Sequence, residues 1–375
     1  MRVIGGWRRI AVAVLSTAVL FGATLTLAGS ADPSPAAPRP EPVQAKPPVI
    51  SQVVDVSVLD AGAPPEVKKR IEAVRARLGN NPRFQVGYSK AAGRTLKQLA
   101  GTVKPADLVA RVQKQRIASA QHQSKNPTVD ARRHELQANP NAPTPSLTAF
   151  DWSQFGVVGS VKDQGLCGDC WCFATVGVFE SMYAIRNGTV NMLQLSEEQL
   201  LRCNTENPPA TCCGGWWGFD YITATGLVGD DRIPYQSGNI SCDSGVQVPG
   251  LGPCPDISGF RKYQAATWSY VDGVDGATNI PDPSLIKKAL CDHGPVICGV
   301  NVTEAFQLYK SGVFVENDPG DINHAVMIVG WTPEGWIVRN SWGADWGQNG
   351  YILIDWNTNK IGFGAAWVEP VVFGQ

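Results

Sequence analysis

The sequence has almost no net charge, few histidines and no cysteine in its first 166 residues. Its 32 basic and 33 acidic residues leave a formal charge of −1, which argues against a protein that coats nucleic acid. Only four of the 375 residues are histidine, so few positions can supply an imidazole. No internal repeat indicates a solenoid or a propeller. The aromatic fraction of 9% is too high for a chain that is disordered throughout.

The charges that are present divide the chain into regions of opposite sign. Residues 51–146 carry sixteen Lys or Arg against seven Asp or Glu, whereas residues 147–375 carry eleven against twenty-four. All ten cysteines lie in the second region, from Cys167 to Cys298, together with eleven of the twelve tryptophans. This difference in composition predicts separate folding units.

The amino terminus has the composition of a targeting segment. Three arginines precede an apolar run from Ile10 to Leu27, and small residues follow it. This order predicts a signal peptide over residues 1–31, with an uncleaved membrane anchor as the alternative because the run just reaches spanning length. Seven prolines occur in residues 32–48, so we expect an extended linker over 32–49. Both interpretations place the rest of the chain outside the cytoplasm, secreted or at the cell surface, where disulfides persist.

Residues 50–146 form the basic region, in which we expect two helices, from Pro65 to Leu78 and from about Pro105 to His122, with a short strand near 85–90 between them. The expected inner faces are Val67, Ile71, Val74 and Leu78, and Leu108, Val112, Gln115 and Ala118. The region is either a small helical module with solvated basic faces or a pro-segment that docks on the acidic domain. The opposite charges favour the pro-segment, and its Asn- and Pro-rich end, 139–146, is the expected cut region.

One run of residues contains three closely spaced cysteines: Gln164-Gly-Leu-Cys167-Gly-Asp-Cys170-Trp-Cys172. Cys167 and Cys170 have the spacing of a redox dithiol, but the short segment before them and the size of the domain do not suit that fold. A zinc site completed by Cys203 and the Cys212-Cys213 pair is a second alternative, although regular ligand spacing is missing there. In the third alternative, Cys170 is a nucleophile.

A helix that begins at Cys170 favours the nucleophile. The apolar residues from Trp171 to Arg186 recur with helical spacing, and Asn187-Gly188 is typical of a helix end. Cys170 therefore lies at the amino end of the helix, where unpaired N–H groups and the helix dipole stabilise a thiolate. The pKa of such a thiol falls by several units when a cation stands beside it, and an imidazolium is the cation we expect.

His324 is the histidine best placed to supply that cation. Two of the others lie in the basic region, and His293 lies in a Gly-Pro turn that suits a structural role. His324 begins an apolar run that predicts a core strand, and a strand edge holds a catalytic base rigidly. Asn340 ends another apolar strand, where its amide could fix the imidazole tautomer. Trp342 could then cover that hydrogen bond.

These residues resemble the papain-like cysteine peptidase family over about residues 149–370. The matching blocks are Gln164-Gly-x-Cys167-Gly-x-Cys170-Trp171, Leu195-Ser-Glu-Glu-Gln-Leu-Leu-x-Cys203, Cys212-x-Gly-Gly215, Asn323-His324-Ala-Val and Asn340-Ser-Trp342-Gly-x-x-Trp346-Gly. The order Cys, His, Asn also matches. The resemblance implies an α+β fold with two lobes over residues 147–375, preceded by a partly helical pro-segment. The mainly helical lobe would carry the cysteine helix, and an antiparallel, barrel-like lobe would carry His and Asn.

The resemblance also implies a role for each matching residue. Cys170 attacks the peptide carbonyl as a thiolate, His324 forms the ion pair with it and protonates the leaving amine, and Asn340 orients His324. The Gln164 side chain and the Cys170 backbone N–H form the oxyanion hole. Three groups of residues are expected to bind substrate. Gly214 and Gly215 offer a bare backbone edge to an extended chain. The walls of the pocket for the residue two before the cut are Trp216, Trp217, Gly299 and Ala325, and Asn323 and Trp342 complete the set.

For the cysteines, the resemblance implies two disulfides, Cys167–Cys212 and Cys203–Cys242. Five cysteines other than Cys170 are left over, so at least one thiol remains free or makes an unusual link. A further bridge between Cys172 and Cys213 is plausible, because both lie close in sequence to the first pair.

Asp169 replaces the small residue that is frequent at its position in the family. A carboxylate that points inward here would raise the pKa of the neighbouring thiol. We therefore expect the side chain of Asp169 to point outward, which would leave the enzyme active.

The implied function is a secreted cysteine endopeptidase, made as a zymogen, that hydrolyses polypeptide substrates. The resemblance implies no cofactor and no metal, and we expect a monomer. By analogy, the pro-segment is an intramolecular inhibitor that lies in the cleft in the non-productive direction, and its charge predicts faster self-processing at acidic pH and higher salt. The alternatives are a papain-fold peptide-binding protein with a dead site, a surface-anchored module, and a transpeptidase that uses the same acyl-enzyme.

Overall fold

Strands from both regions of the chain form one sheet. The computed structural model describes residues 56–79, 82–125, 143–190, 193–205, 211–242, 251–272 and 279–371. The predicted signal peptide and linker lie outside these residues, and so does the predicted cut region up to residue 142. The strands of the described ranges are β1 (Phe84–Val86), β2 (Phe150–Asp151), β3 (Ala265–Tyr270), β4 (Val296–Val300), β5 (Tyr309–Phe314), β6 (His324–Thr332), β7 (Gly335–Arg339), β8 (Tyr351–Ile354) and β9 (Phe363–Pro370).

The sheet has the strand order β1–β5–β8–β7–β6–β4–β9–β3, with β2 paired to β6. Neighbouring strands are antiparallel except for β5 and β8, which are parallel, so the antiparallel lobe that we expected contains one parallel pair. Strands β6 and β7 are antiparallel, with Met327 opposite Arg339. The residue after β7, Asn340, therefore returns to the end of the sheet at which His324 begins β6.

Helices occur in both regions. In the basic region they are α1 (Val56–Leu59), α2 (Pro65–Leu78), α3 (Leu96–Leu99) and α4 (Leu108–Lys125). In the acidic region they are α5 (Cys170–Asn187), α6 (Glu197–Cys203), α7 (Phe219–Ala224), α8 (Pro283–His293) and α9 (Glu304–Gln307). Short 3₁₀ turns occupy Lys90–Gly93, Trp152–Phe155 and Ser237–Asn239. No helix of the described ranges has both the length and the apolar character needed to cross a membrane.

The two predicted helices of the basic region are present, but the buried face of the second was predicted incorrectly at one residue. In α2 the predicted face is buried at Val67, Ile71 and Val74. In α4 the third buried residue is Ser119, whereas Ala118 is exposed, because Ser119 lies about three full turns after Leu108 and Ala118 lies about 80° round the helix from it. The predicted strand near 85–90 is shorter and earlier, and it pairs with β5 of the acidic region.

Helix α5 begins at Cys170 and ends at Asn187, as predicted. Gly188 follows with a φ of 62°, a left-handed conformation that glycine adopts without strain. Almost every side chain of α5 is buried, which explains why its sequence is apolar on all sides rather than on one face. The helix is thus held rigidly inside the domain with its amino end at the proposed nucleophile.

Two hydrophobic cores lie on opposite faces of strand β6. Ala325, Met327 and Val329 belong to the core that contains α5. Val326 and Ile328 belong to a second core, which α2 of the basic region also enters through Ile71. This alternation follows from the two-residue period of a strand, and it fixes which residues near His324 face the cysteine helix.

Three disulfides join cysteines of the described ranges. Cys167 bonds to Cys212, the first pair that the resemblance implied. The expected Cys203–Cys242 disulfide is wrong: Cys203 bonds to Cys254, and Cys242 bonds to Cys213. The Cα atoms of these two pairs are 4.7 and 5.1 Å apart, within the range that a disulfide spans.

The disulfide pattern also decides the earlier alternatives for the cysteines. The plausible Cys172–Cys213 bridge is not formed, and Cys172 is a buried free thiol, as are Cys170 and Cys298. Cys291 is a partly exposed free thiol. Because Cys167, Cys203 and Cys212 are in disulfides, neither a redox dithiol nor a zinc site can form from them.

Candidate active site

Cys170 lies at the amino end of α5 and is completely buried. Its Sγ atom accepts a hydrogen bond from the backbone N–H of Ala325, with the two atoms 3.4 Å apart. The hydroxyl oxygen of Thr102, a residue of the basic region, lies 3.3 Å from the same sulfur. Because Ala325 follows His324 in β6, these contacts bring the predicted nucleophile and the predicted base together.

His324 is held in one tautomer by Asn340. Its Nε2 lies 2.8 Å from the amide oxygen of Asn340, and the backbone N–H of Ser341 donates to that same oxygen over 2.8 Å. Since the oxygen can only accept, Nε2 carries the proton and Nδ1 keeps its lone pair. Nδ1 is buried and makes no hydrogen bond to the described residues. The imidazole is therefore arranged to accept a proton at Nδ1.

Trp342 covers this hydrogen bond. Its ring centroid lies 4.7 Å from that of His324, and the side chain is completely buried. Phe306 packs edge-on against Trp342, with 5.8 Å between their centroids. An apolar cover of this kind keeps water from competing for the His324–Asn340 bond, as the sequence predicted for Trp342.

The side chain of Gln164 forms hydrogen bonds both within the acidic region and to the basic region. Its side-chain amide donates to the carbonyl of Cys167 over 2.8 Å and to that of Leu99 over 3.2 Å, and its oxygen accepts from the hydroxyl of Ser341 over 2.7 Å. The amide group thus points its N–H groups towards the start of α5. The backbone carbonyl of Leu99 occupies one of them.

Residues 99–103 of the basic region run through the cleft. Gly215 donates its N–H to the carbonyl of Gly101 and accepts the N–H of Val103, each over 3.0 Å, as a parallel β-bridge. The N–H of Thr102 donates to the carbonyl of Asn323 over 2.9 Å. The contact is close, because a Cβ on Gly101 would lie 1.7 Å from the carbonyl oxygen of Gly168. The cleft is therefore filled by this segment.

Burial by this segment keeps the proposed catalytic pair neutral. Burial raises the pKa of the Cys170 thiol, against weaker opposing hydrogen bonds from Thr102 and Ala325. Burial also lowers the pKa of His324 to about 4, although Asn340 and the nearby Leu99 carbonyl oppose this. With the thiol protonated and the imidazole neutral, the full-length chain lacks the ion pair that a thiolate nucleophile requires.

The predicted substrate-binding residues divide into two groups. Gly215, Asn323 and Trp342 contact the cleft segment directly, Trp342 through its indole N–H to the Leu99 carbonyl over 3.3 Å. Ala325 borders the cysteine sulfur and lies opposite Gly299 in the sheet.

Gly214, Trp216 and Trp217, which were also predicted to bind substrate, make their hydrogen bonds within the domain and not to the cleft segment. Gly214 closes a turn with Thr211. The indoles of Trp216 and Trp217 are buried and stacked, with 4.0 Å between centroids, and donate to the hydroxyl of Tyr270 and the carbonyl of Gly364. These two side chains lie inside the core, so any part they play in the pocket is limited to their edges.

Asp169 does not point outward as expected. Its side chain is completely buried, and its two carboxyl oxygens lie 3.2 and 3.0 Å from the hydroxyl of Tyr235. Burial raises the pKa of Asp169 well above its ordinary value, and the Tyr235 hydrogen bond opposes this to a smaller extent. The expectation failed because Tyr235, 66 residues away in sequence, provides a polar partner inside the domain.

Sequence reasoning also missed the residues that bind the basic region. The side chain of Gln307 is buried and donates to the carbonyls of Ala91 and Arg94, each over 2.7 Å. Thr102, at the sulfur of Cys170, was not anticipated either. The charge difference between the two regions predicted that they dock, but no local pattern identifies the residues that make the contact.

Comparison with known proteins assigns the family. A family model described as papain family cysteine protease matches residues 147–371, more than half of the chain. The chain belongs to the papain family of cysteine proteases. Pro-cathepsin H of Mus musculus is 36% identical over 239 residues, which cover 60% of this chain and 66% of that protein. Digestive cysteine proteinase 2 of Homarus americanus is 36% identical over 230 residues, which cover 58% and 64%. The chain therefore spans slightly less than two thirds of each relative's length.

Solved structures of papain-family precursors share the fold. The digestive procathepsin L2 proteinase from the larval midgut of Tenebrio molitor matches with a TM-score of 0.60 and 25% identity, over 81% of this chain and 89% of that one. The ragweed pollen allergen Amb a 11, a cysteine protease in its proform, matches with a TM-score of 0.57 and 23% identity over 81% and 87%. The predicted α+β papain-like fold with a preceding pro-segment is confirmed.

Proposed function

We propose that the protein is a secreted papain-like cysteine endopeptidase made as a zymogen. One observation carries the proposal: Cys170 begins a buried helix, its sulfur contacts the strand that His324 opens, and Asn340 holds His324 with Nδ1 free. This arrangement supplies a nucleophile, a base and an orienting group in one place. The family membership supports the same activity.

In the proposed reaction, Nδ1 of His324 takes the proton from the sulfur of Cys170, and the thiolate attacks the carbonyl carbon of a peptide bond. The Gln164 amide and the Cys170 backbone N–H stabilise the resulting oxyanion, and each such donor contributes about 3 kcal/mol. The imidazolium of His324 then protonates the leaving amine as the C–N bond breaks. Water attacks the thioester, His324 takes its proton, and the carboxylic acid leaves as the thiol is restored.

The contacts in the cleft support a pro-segment that acts as an intramolecular inhibitor. The carbonyl of Leu99 engages the Gln164 amide, and Thr102 lies against the cysteine sulfur. A substrate carbonyl and the segment therefore compete for the same donors. The proposed polypeptide substrates gain access only after residues 99–103 leave the cleft.

We propose the following organisation for the chain: a signal peptide at 1–31, a linker at 32–49, a pro-segment at 50–146 and a monomeric peptidase domain at 147–375. The three disulfides suit an oxidising compartment outside the cytoplasm. Amino-terminal sequencing of the exported and the mature protein tests these boundaries. A mature form that begins before residue 139 or after residue 147 would contradict the proposed cut region, and a mature dimer in sedimentation would contradict the monomer.

The activity is tested by labelling the self-processed enzyme with a peptidyl epoxide. We expect the epoxide to alkylate one thiol in the wild type, to block peptide hydrolysis, and to leave Cys170→Ala unlabelled after wild-type enzyme has removed the pro-segment from that variant. Cys291→Ala is the matched control, because Cys291 is a partly exposed free thiol outside the cleft and its removal should change neither labelling nor hydrolysis. Labelling that persists in Cys170→Ala, or hydrolysis that survives it, would overturn the assignment of the nucleophile.

A further inference from the structure

Asp169 is the residue immediately before the proposed nucleophile. It occupies the N-cap position of α5, but its side chain makes no capping hydrogen bond to the helix. The carboxyl group turns inward and is completely buried. A buried carboxyl group that does not cap its helix must be satisfied elsewhere, because an unpaired polar group in the interior is costly.

Tyr235 provides the partner and connects Asp169 to Gln164. Its hydroxyl lies 3.0 Å from one carboxyl oxygen of Asp169 and 2.9 Å from the backbone carbonyl oxygen of Gln164. Phe173, one turn into α5, packs edge-on against the Tyr235 ring with 4.9 Å between centroids and holds it in place. A single hydroxyl therefore joins the residue before the nucleophile to the residue of the proposed oxyanion hole.

The protonation state of Asp169 decides whether Asp169, Tyr235 and the Gln164 carbonyl can all be hydrogen-bonded at once. The Tyr235 hydroxyl has one proton to donate, and the carbonyl of Gln164 can only accept. If Tyr235 donates to an ionised Asp169, the Gln164 carbonyl loses the side-chain hydroxyl that donates to it. If Asp169 is protonated, it donates to Tyr235 and Tyr235 donates to Gln164. Only the protonated form satisfies all three groups.

The groups around Asp169 also favour the neutral carboxyl. No basic side chain pairs with it in the described part of the chain. The titratable groups that face it are the thiols of Cys170 and Cys172 on α5, the Tyr235 hydroxyl and the carboxyl of Glu197 on α6, and Glu198 faces Cys172 and Tyr235 in the same cluster. Glu197 already pairs with Lys162, and Glu198 with Arg202. At Gly168, the residue before Asp169, the pro-segment approaches with backbone atoms of Gly101 and Lys97.

We propose that protonated Asp169 is a positioning residue: through Tyr235 it ties the Gln164 backbone to the start of α5, and its ionisation turns the enzyme off. The inference rests on the proposed function. On ionisation, Asp169 releases its proton to water, Tyr235 turns its hydroxyl towards the carboxylate, and the Gln164 carbonyl loses its donor. The new negative charge also lies beside Cys170, where it opposes the thiolate.

The sign of the pH effect follows from this arrangement. Burial holds the pKa of Asp169 above its ordinary value, so the protonated form exists below that pKa and is lost as the pH rises through it. The alkaline limb of kcat/KM for the mature enzyme is then set by Asp169.

Asp169→Asn tests the proposal, because the amide keeps a donor and cannot ionise. We expect the alkaline limb of kcat/KM to move up by about one pH unit or more, with kcat/KM at acidic pH within about threefold of wild type. Asp169→Ala and Tyr235→Phe lose the link and should fall about tenfold or more in kcat at acidic pH. Asp220→Asn, which alters a carboxyl group bound to Trp268 away from the site, should leave the profile unchanged. An unchanged alkaline limb in Asp169→Asn would overturn the proposal.

An infrared measurement on the full-length precursor gives a second readout that needs no activity. The wild type at neutral pH should show a protonated-carboxyl C=O band that is absent in Asp169→Asn and shifted in Tyr235→Phe. Absence of any difference between wild type and both variants would also overturn the proposal. If wild type shows the band but the self-processed enzyme hydrolyses no peptide, the proposed function fails while the protonated Asp169–Tyr235–Gln164 link stands.

Discussion

Thr102 of the pro-segment and Gly215 of the peptidase domain pair as a parallel β-bridge. In the proposed assignment Gly214 and Gly215 form the bare backbone edge that binds an extended substrate. The pro-segment runs along this edge from Leu99 beside Trp342 to Val103 beside Gly215. We propose that this is the non-productive direction, which would let the segment fill the cleft without being cut there.

Gly101→Ala will weaken the docking of the pro-segment. A Cβ at this position would lie 1.7 Å from the carbonyl oxygen of Gly168, and this backbone atom cannot rotate away. A backbone shift of this kind costs on the order of 1–3 kcal/mol. We expect the full-length chain to process itself about tenfold faster, measured as the time course of the mature band on denaturing gels.

Gly93→Ala is the matched control for this substitution. Gly93 also belongs to the pro-segment, but a Cβ there would meet no atom within 4 Å. Its processing rate should equal that of the wild type. Equal rates for Gly101→Ala and Gly93→Ala would show that the close approach at Gly168 does not limit docking.

Gln307→Ala will also release the pro-segment. The Gln307 amide donates to the carbonyls of Ala91 and Arg94, and its oxygen accepts from Arg70 over 2.7 Å. Truncation leaves buried carbonyls without donors, at a cost of roughly 2–4 kcal/mol in docking. Processing should accelerate by at least about tenfold.

The control for Gln307 is Gln264→Ala. Gln264 likewise donates to two backbone carbonyls, of Thr223 and Ala224, but both lie within the peptidase domain. We expect this variant to lose some thermal stability and to process at the wild-type rate. A similar acceleration in both variants would indicate a general destabilisation rather than a lost pro-segment contact.

Self-processing should be faster at acidic pH and at higher salt. Basic pro-segment residues pair with acidic domain residues, as in Arg94–Asp163 and Lys104–Asp321. Burial alone would raise the pKa of Asp163, but hydrogen bonds from Arg94 and the Gly165 N–H lower it overall. The hydrogen bond from Lys104 lowers the pKa of Asp321. Docking is therefore strongest above the ordinary aspartate pKa and weakens as the pH falls through the lowered values.

The variant that checks this is Asp163→Asn. Because the pair is partly exposed, we expect a modest effect, about twofold to fivefold faster processing at pH 6, with a shallower dependence on pH below 5. Asp256→Asn, which alters an exposed carboxyl group bonded to Ser258, should behave as wild type. Processing rates that change with neither pH nor salt would disprove the electrostatic account.

Glu369→Gln will destabilise the fold at neutral pH. Burial alone would raise the pKa of Glu369, but His293 and Arg186 lower it to about 2. A lowered pKa means that the carboxylate stabilises the fold above the unfolded pKa near 4.5 and that this contribution is lost as the pH falls towards 2. The loss in Glu369→Gln should be about 3 kcal/mol at pH 7 and should shrink towards pH 3, measured by urea unfolding of the full chain. An equal loss at both pH values would contradict the ionic role.

Features set by local sequence were predictable. The helix at Cys170, the strand at His324 and the strand end at Asn340 follow from the spacing of apolar residues. His293 was expected to be structural, and it pairs with Glu369 at 2.6 Å and stacks on Trp367. The helix and the strands depend on apolar residues that recur close together in sequence. The structural role of His293 was predicted from its Gly-Pro turn, whereas its partner Glu369 lies 76 residues away.

Features set by distant partners were not predictable. Spacing alone does not distinguish Cys242 from Cys254 as the partner of Cys203, because the choice depends on how the intervening loops pack. The direction of the Asp169 side chain depends on Tyr235, which the fold brings to it. The burial of Trp216 depends likewise on Tyr270, 54 residues away.

The strand that the pro-segment adds to the sheet has a consequence for the mature protein. Strand β1 pairs with β5, and the N–H of Val313 donates to the carbonyl of Arg83 across this boundary. When the pro-segment departs, β5 keeps β8 on one side but loses β1 on the other, and the main-chain groups that faced β1 are exposed to solvent, where another extended chain can pair with them. Removal of the pro-segment therefore exposes the edge of strand β5. In the full-length chain, β1 covers this edge.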